Sequence, residues 1–227
     1  MQIQFAMPLQ NRVDPFGELF KSAARGTLFG NRGGKFHRDD RTLSTRRWAS
    51  RQWICCVLEF KGRRRDVWGR YYTELFFLDE VTALAAGHRP CFECRRTAAV
   101  AFAAALGRRG ARPSAPEMDL VLHAERLDGR RKRVHRRALD DLPDGAVISL
   151  AGADALAVKG DVLLPWTPSG YGPPRPRLQG LDVAVLTPPS ILRALSRGYQ
   201  PAWHGTHAKP LSVPQGARKQ RTPCDSD

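Results

Sequence analysis

Four of the five cysteines in this 227-residue chain fall into two pairs, Cys55-Cys56 and Cys91-Phe92-Glu93-Cys94, and sulfur is the most reactive side-chain element present. Two cysteines three apart at a helix start turn both sulfurs toward one point, the spacing of metal sites and redox pairs. Arg89, Arg95 and Arg96 flank the second pair and favour the thiolate, the form that binds metal or attacks an electrophile. A structural zinc ion takes four nitrogen or sulfur ligands, so the C-x-x-C needs partners. Cys55-Cys56 supplies one readily and two only with a bulge, because adjacent residues of a strand face opposite sides. His37 and His88 are the candidates for the remaining place. The expected ligand set is therefore drawn from Cys91, Cys94, Cys56, Cys55, His37 and His88, with Zn²⁺ as the cofactor.

A competing constellation is His123-Ala124-Glu125. H-x-E and P-C-x-x-C are the two halves of zinc nucleobase deaminases, where the His and both Cys bind the metal and the Glu moves protons. Here the halves stand in reverse order, so His123 and Glu125 would form a permuted or convergent catalytic site. Their plain reading is the polar side of a short helix, with Glu125 paired to Arg126 or Arg130. A thioredoxin-like redox site needs a βαβ context, which the helix expected before Pro90 does not provide.

Thirty-seven Lys and Arg against 22 Asp and Glu leave a net charge of +15 and a pI near 10.5. Such a surface concentrates polyanions, which makes nucleic acid the first partner to expect. The cations gather in two runs, Arg63, Arg64 and Arg65 in a turn, and Arg130, Arg131, Lys132, Arg133, Arg136 and Arg137 further on; both are expected to contact phosphates without reading sequence. Gly30 to His37 reads as a plain turn rather than a phosphate loop. Trp166, Tyr171, Tyr199 and Trp203 can stack on bases or anchor a small β module.

The elements that must position these residues follow from local patterns. Trp53–Phe60 and Tyr71–Leu78 read as strands, joined at Lys61-Gly62-Arg63 into a hairpin. Asp79 caps a helix that Gly87 ends, and a second helix is expected from Pro90-Cys91 to Gly107, with Pro in the first turn. A third spans Glu117 to Leu127. Short strands at 146–150, 155–158, 162–164 and 183–186 follow, interrupted by a proline-rich excursion over 165–176, and a last helix runs from Thr187 to Arg197. With 42% hydrophobic residues to form a core, the expectation is an α+β protein: a zinc-supported β-hairpin/helix module over 1–116, a basic helix with a small β-rich module over 117–208, and a frayed tail over 209–227 holding an inert Cys224.

The stretch Leu75-Phe76-Phe77-Leu78-Asp79-Glu80-Val81-Thr82-Ala83-Leu84-Ala85-Ala86-Gly87-His88-Arg89-Pro90-Cys91-Phe92-Glu93-Cys94-Arg95 resembles the second half of the metal-binding domain of Ada-type DNA alkyl-repair proteins. In that family a strand with paired Phe leads to an Ala-rich helix and then Gly-x-Arg-Pro-Cys-x-x-Cys-Arg; four cysteines hold zinc, and one of them takes a methyl group from a DNA phosphotriester. The resemblance implies that Cys91 and Cys94 are zinc ligands and that DNA is a more fitting partner than RNA. Upstream the chain departs from the family, which has two cysteines separated by three residues in a loop where this chain has Cys55 and Cys56 adjacent in a strand.

The first residues carry no basic start followed by an apolar stretch, and no run is long enough to span a bilayer, so a cytoplasmic setting with reduced thiols is expected and no membrane partner. The resulting expectation is a zinc-containing nucleic-acid-binding protein, in DNA repair or processing. The alternatives are a zinc-dependent hydrolase or deaminase-like enzyme acting on a nucleobase or nucleotide, and a metal-free adaptor.

Overall fold

The computed structural model describes residues 8–63, 66–107, 111–152 and 154–208. Arg64, Arg65, Cys224 and the tail over 209–227 lie outside the described residues. The chain is α+β, with two sheets packed against a helical layer.

The first sheet holds β1 (Arg12–Val13), β2 (Leu19–Phe20), β3 (Leu28–Arg32), β4 (Trp53–Val57), β5 (Leu75–Phe77) and β6 (Arg89–Pro90), in the spatial order β2-β1-β5-β3-β4-β6. The strands expected to form a hairpin, β4 and β5, therefore do not pair. β3 lies between them, antiparallel to both, in register from Leu28↔Val57 to Arg32↔Trp53 on one side and from Leu28↔Phe77 to Gly30↔Leu75 on the other. Gly30 makes the close pairing with β4 feasible: a Cβ there would stand 2.0 Å from the Ile54 carbonyl oxygen. The segment read as a turn from Gly30 thus begins as strand, and the chain turns only at Gly33 and Gly34, both with positive φ.

Asp79 caps α1 (Glu80–Ala85) by accepting from the Thr82 N–H, as its position before an apolar run requires. Every residue of α1 is buried, because the helix is covered on two sides. Ala83 and Ala86 pack on Val13, Leu28 and Phe77 of the first sheet, whereas Val81 and Ala85 pack on Val147, Ala157 and Leu164 of the second. Gly87 (φ 86°) then turns the chain into β6.

The second expected helix starts later than Pro90. Arg89–Pro90 pairs in parallel with β4, at Ile54↔Arg89 and Cys55↔Pro90, so the backbone is extended there and the cysteines occupy a turn. α2 (Arg96–Leu106) begins only after Cys94, and α3 (Ala115–Arg126) follows with a Ser114–Glu117 capping box. β7 (Leu127–Asp128) and β8 (Arg131–Lys132) form a two-stranded ribbon.

The remaining strands are β9 (His135–Ala138), β10 (Val147–Ser149), β11 (Leu156–Lys159), β12 (Val162–Thr167), β13 (Gly170–Tyr171), β14 (Arg175–Pro176) and β15 (Asp182–Val185). They make an antiparallel sheet in the order β13-β12-β11-β10-β15-β9, with β14 added to β12. α4 (Pro189–Ser196) closes the fold, and its Ile191, Ala194 and Leu195 share one core with Leu84, Phe102, Met118 and Leu122 of the other helices. No described helix is long and apolar enough to cross a membrane.

Candidate metal centre and its cavity

Strand alternation decides what β4 can offer. Trp53 and Cys55 point to the side of the first sheet that α1 covers, where Cys55 packs with Phe77 and Ala83. Ile54 and Cys56 point to the other side, together with Phe29 of β3, Cys91 and Cys94. The Sγ atoms of Cys56, Cys91 and Cys94 all lie within 4.8 Å of one another, and this is the one set among the described residues whose geometry could hold a metal ion. In a tetrahedral sulfur site, metal–sulfur bonds near 2.3 Å put neighbouring sulfurs about 3.8 Å apart. The cluster is therefore close to the spacing one shared cation needs.

The parallel β4–β6 pairing builds this convergence. The Cys91 N–H donates to the Cys55 carbonyl at 3.0 Å, which fixes the start of the turn beside Cys56. Inside the turn the Arg95 N–H donates to the Cys91 carbonyl at 3.0 Å, and the Glu93 N–H reaches Cys91 Sγ at 3.4 Å. Hydrogen bonding among the thiols divides their protons unequally. Cys56 holds its proton because it bonds to Cys91 and Cys94, while the same bond lowers the Cys91 thiol to about 5 and also lowers Cys94. A soft or borderline cation that binds such a sulfur cluster displaces its remaining proton to solvent.

Cys55, His37 and His88 were expected as possible ligands; the structure places all three outside this cluster. Burial pushes the Cys55 thiol up to about 12, and Arg95 Nη1 donates to its sulfur at 3.1 Å. His37 shares a 2.8 Å hydrogen bond with Thr73 Oγ1 and stacks on Trp68. His88 is fully buried against Trp53 and Phe77, and burial followed by Arg32 and Arg126 keeps its imidazole neutral.

His123 and Glu125 are not at the cluster either. Glu125 accepts from the Ser190 N–H at 2.8 Å and its hydroxyl at 2.6 Å, which ties α3 to the start of α4. His123 meets Arg126 at 2.8 Å and lies edge-on to Trp48 and Trp53. The two side chains of the H-x-E thus leave α3 in different directions, and the partner of Glu125 is Ser190 rather than Arg126 or Arg130.

The three sulfurs form part of the wall of an open cavity of about 600 Å³. Asn31 and Ile54 line its floor, Phe60, Tyr71 and Tyr72 contribute aromatic faces, and Arg63 and Arg70 contribute cations. Tyr71 is 70% exposed and Tyr72 48%, an unusual display for large aromatic side chains. Glu93 stands on the rim, paired with Arg63 at 2.7 Å. Buried Glu74 accepts from the Trp68 N–H at 2.7 Å. The adjacent tyrosines read as the start of a strand in the sequence; only their position beside Arg70, ahead of a strand that begins at Leu75, hints at another use.

The cations of the second run differ in what they touch. Arg131, Arg133, Arg136 and Arg137 are exposed, but Arg133 bonds the Leu127 carbonyl and Arg136 the Asp182 carbonyl. Arg130 reaches back to the Thr45 carbonyl. Lys132 was expected to contact phosphate from the surface; its ammonium instead turns inward to the Ala85 carbonyl. Trp166 and Tyr171 are anchors too, with the Trp166 indole N–H donating to Thr82 Oγ1 at 3.0 Å and the Tyr171 hydroxyl to Asp79 at 2.9 Å. Compared with protein-family models, with curated proteins and with solved structures, the chain has no match to any.

Proposed function

We propose that this is a zinc-containing nucleic-acid-binding protein in which Cys56, Cys91 and Cys94 hold the ion and its fourth position opens into the cavity, to be taken by a nucleobase or nucleotide of the bound strand. One observation carries the reading: three sulfurs lie within 4.8 Å of one another in the wall of a cavity that also presents Tyr71, Tyr72, Arg63 and Arg70. Sulfur donors select zinc over the hard divalent ions. Three protein ligands with a free position are the pattern of centres that bind and polarise a ligand, whereas purely structural sites are closed by four. Exposed aromatic faces beside cations suit a base and its phosphate. The Ada-like segment, which supplies two of the three sulfurs, favours DNA.

The three-ligand geometry also favours a second reading, that of a zinc-dependent enzyme acting on the nucleobase or nucleotide. Zinc would act as a Lewis acid toward an oxygen or nitrogen of the ligand. Asp66, Glu74 and Glu93 line the cavity, and Glu93, which stands between Cys91 and Cys94 in the sequence, rather than Glu125 would be the acid–base group in this reading.

Cobalt(II) exchanged for the native metal tests the site itself. Intense sulfur-to-cobalt absorption that changes when imidazole or a nucleotide is added marks an open three-sulfur centre. A spectrum that no added ligand changes marks a closed site and overturns this reading. Retention of single-stranded DNA should weaken steeply with salt and further in Arg63→Ala/Arg70→Ala. Equal retention by that variant would exclude the cavity as the contact.

A further inference from the structure

The opposite face of the same sheet carries a second concentration of charge that the metal centre does not use. Arg32 of β3, Arg126 of α3 and Lys132 of β8 converge around Trp53, with both guanidinium carbons 3.9 Å from the indole centroid. Arg32 and Arg126 are 2% and 1% exposed. They line the floor of a narrow recess of about 20 Å³, with Arg47 and Arg130 at its mouth. These two arginines also line the adjoining outer groove of about 290 Å³, with Arg46 and Trp48.

Buried cations are normally paired with carboxylates, because an uncompensated buried charge costs several kcal/mol. Here the partners are neutral. Arg32 donates to the Gly17 carbonyl at 2.7 Å and the Arg47 carbonyl at 3.3 Å. Arg126 donates to the Gly87 carbonyl at 2.9 Å and the Arg51 carbonyl at 2.6 Å, and its Nε is buried with no hydrogen-bond partner. Lys132 reaches only the Ala85 carbonyl. Among the described residues, none of these five cations forms an ion pair. Among the described residues exposed Glu18 is the one carboxylate that lines the recess; Glu18 and Asp14 oppose the effect of burial on Arg32, and Asp119 that on Arg126, without an ion pair. Burial, then Arg126 and Arg32, lowers the Lys132 ammonium to about 7, with Asp14 opposing.

We infer that this recess is an oxyanion site, distinct from the metal centre, that takes the phosphate group of a phosphomonoester between Arg32, Arg126 and Lys132, with Arg47 and Arg130 closing over it. Several guanidinium donors around one point match a doubly charged tetrahedral anion, and such charge-assisted hydrogen bonds are the strong ones. The floor admits one small group, while the outer groove leaves room for whatever the phosphate is attached to.

The test uses the full chain as purified and inorganic phosphate as the probe. Millimolar phosphate should raise the melting temperature well beyond chloride at equal ionic strength. Arg47→Ala/Arg130→Ala, which alters only the mouth, should weaken phosphate binding about tenfold. Lys132→Met, of similar volume, should melt higher than the native chain without phosphate yet lose most of the phosphate response. A merely structural lysine would leave the phosphate response intact. No stabilisation beyond chloride overturns the inference, and so does a full response in both variants. A short 5′-phosphorylated oligonucleotide that displaces phosphate, where its 5′-hydroxyl counterpart does not, identifies the source as a nucleic-acid end; failure of both to displace it identifies a small phosphorylated ligand.

Discussion

Cys55 and Cys56 are neighbours in sequence with opposite environments, and side-chain alternation in β4 is the whole cause. That much was legible in the residues alone: without a bulge, only one of the pair can face Cys91 and Cys94. Which one was not legible, because it depends on the register of β4 against β3 and β6. The consequence is a sharp expectation. Cys56→Ser should reduce bound metal to well under one ion per chain, whereas Cys55→Ser should leave it near the native value, as read by elemental analysis of folded protein. Lys132 shows what a sequence conceals at this scale, since a lysine inside a basic run reads as solvated until the ribbon of β7 and β8 turns it under α1. Its folded-state pKa of about 7 is depressed by burial first and by Arg126 and Arg32 next, with Asp14 opposing. Between pH 7 and the ordinary lysine pKa the unfolded chain holds a proton that the folded chain lacks, so stability should rise with pH across that window. Urea midpoints measured at pH 7 and 9.5 without phosphate should show the rise, and Lys132→Met should flatten it.

The elements around the Cys91–Cys94 turn are held by charge as well as by apolar packing. Arg89 opens β6, two residues before Cys91, and grips Asp119 of α3 through a two-pronged pair, Nε to Oδ1 and Nη2 to Oδ2, each 2.8 Å. The Arg89 side chain is 2% exposed and that of Asp119 10%. Breaking one partner of such a buried pair leaves a charge without compensation and costs about 3–5 kcal/mol. Asp119→Ala should therefore lower the unfolding free energy by that order and weaken metal affinity as the turn loosens, measured by urea denaturation and chelator competition. Gly87, which turns the chain from α1 to β6, has φ 86°, and a Cβ there would stand 2.7 Å from Arg126 Cβ and Cδ. Gly87→Ala combines backbone strain with that clash, so it should be more disruptive than alanine at a solvent-facing turn such as Gly160. The start and end of α1 were legible because cap and glycine are local signals. The late start of α2 was not, because Pro90 suits a first helical turn as well as an extended strand, and only the β4–β6 pairing chooses between them. The β4–β5 hairpin misled for the same reason: adjacency in sequence says nothing of β3 inserted from upstream.

At the scale of the molecule, composition and local patterns predicted a cationic α+β protein but not how its two sheets are joined. The join is α1 and the two acids at its start. Asp79 Oδ1 caps the helix, while its Oδ2 accepts from the Tyr171 hydroxyl and the His204 N–H, each at 2.9 Å. Glu80 accepts from Arg95 at 2.6 Å, from the Tyr199 hydroxyl and from the Ala202 N–H at 2.9 Å. One helical turn thus binds the side of the protein that carries the cysteine cluster, through Arg95 and its neighbour Cys94, to the chain that follows α4. The apolar layers repeat the connection, since Val81 and Ala85 of α1 belong to the core of the second sheet. Two halves that share a helix and a core should unfold together. Asp79→Ala removes the cap, worth about 1 kcal/mol, and leaves the Tyr171 hydroxyl and the His204 N–H without their acceptor at about 1–3 kcal/mol each. The expected loss is about 3 kcal/mol or more, concentrated in one transition. Tryptophan fluorescence, which reports on Trp53 in the first sheet and Trp166 in the second, should shift its denaturation midpoint in step with far-ultraviolet circular dichroism. Tyr171→Phe leaves Asp79 its other donors, so it should move the same single transition by a smaller amount. Two separated transitions in Asp79→Ala, with the half that carries the cysteine cluster outlasting the other, would mean that the sheets fold independently and that the acids of α1 are local caps rather than the clasp of the fold.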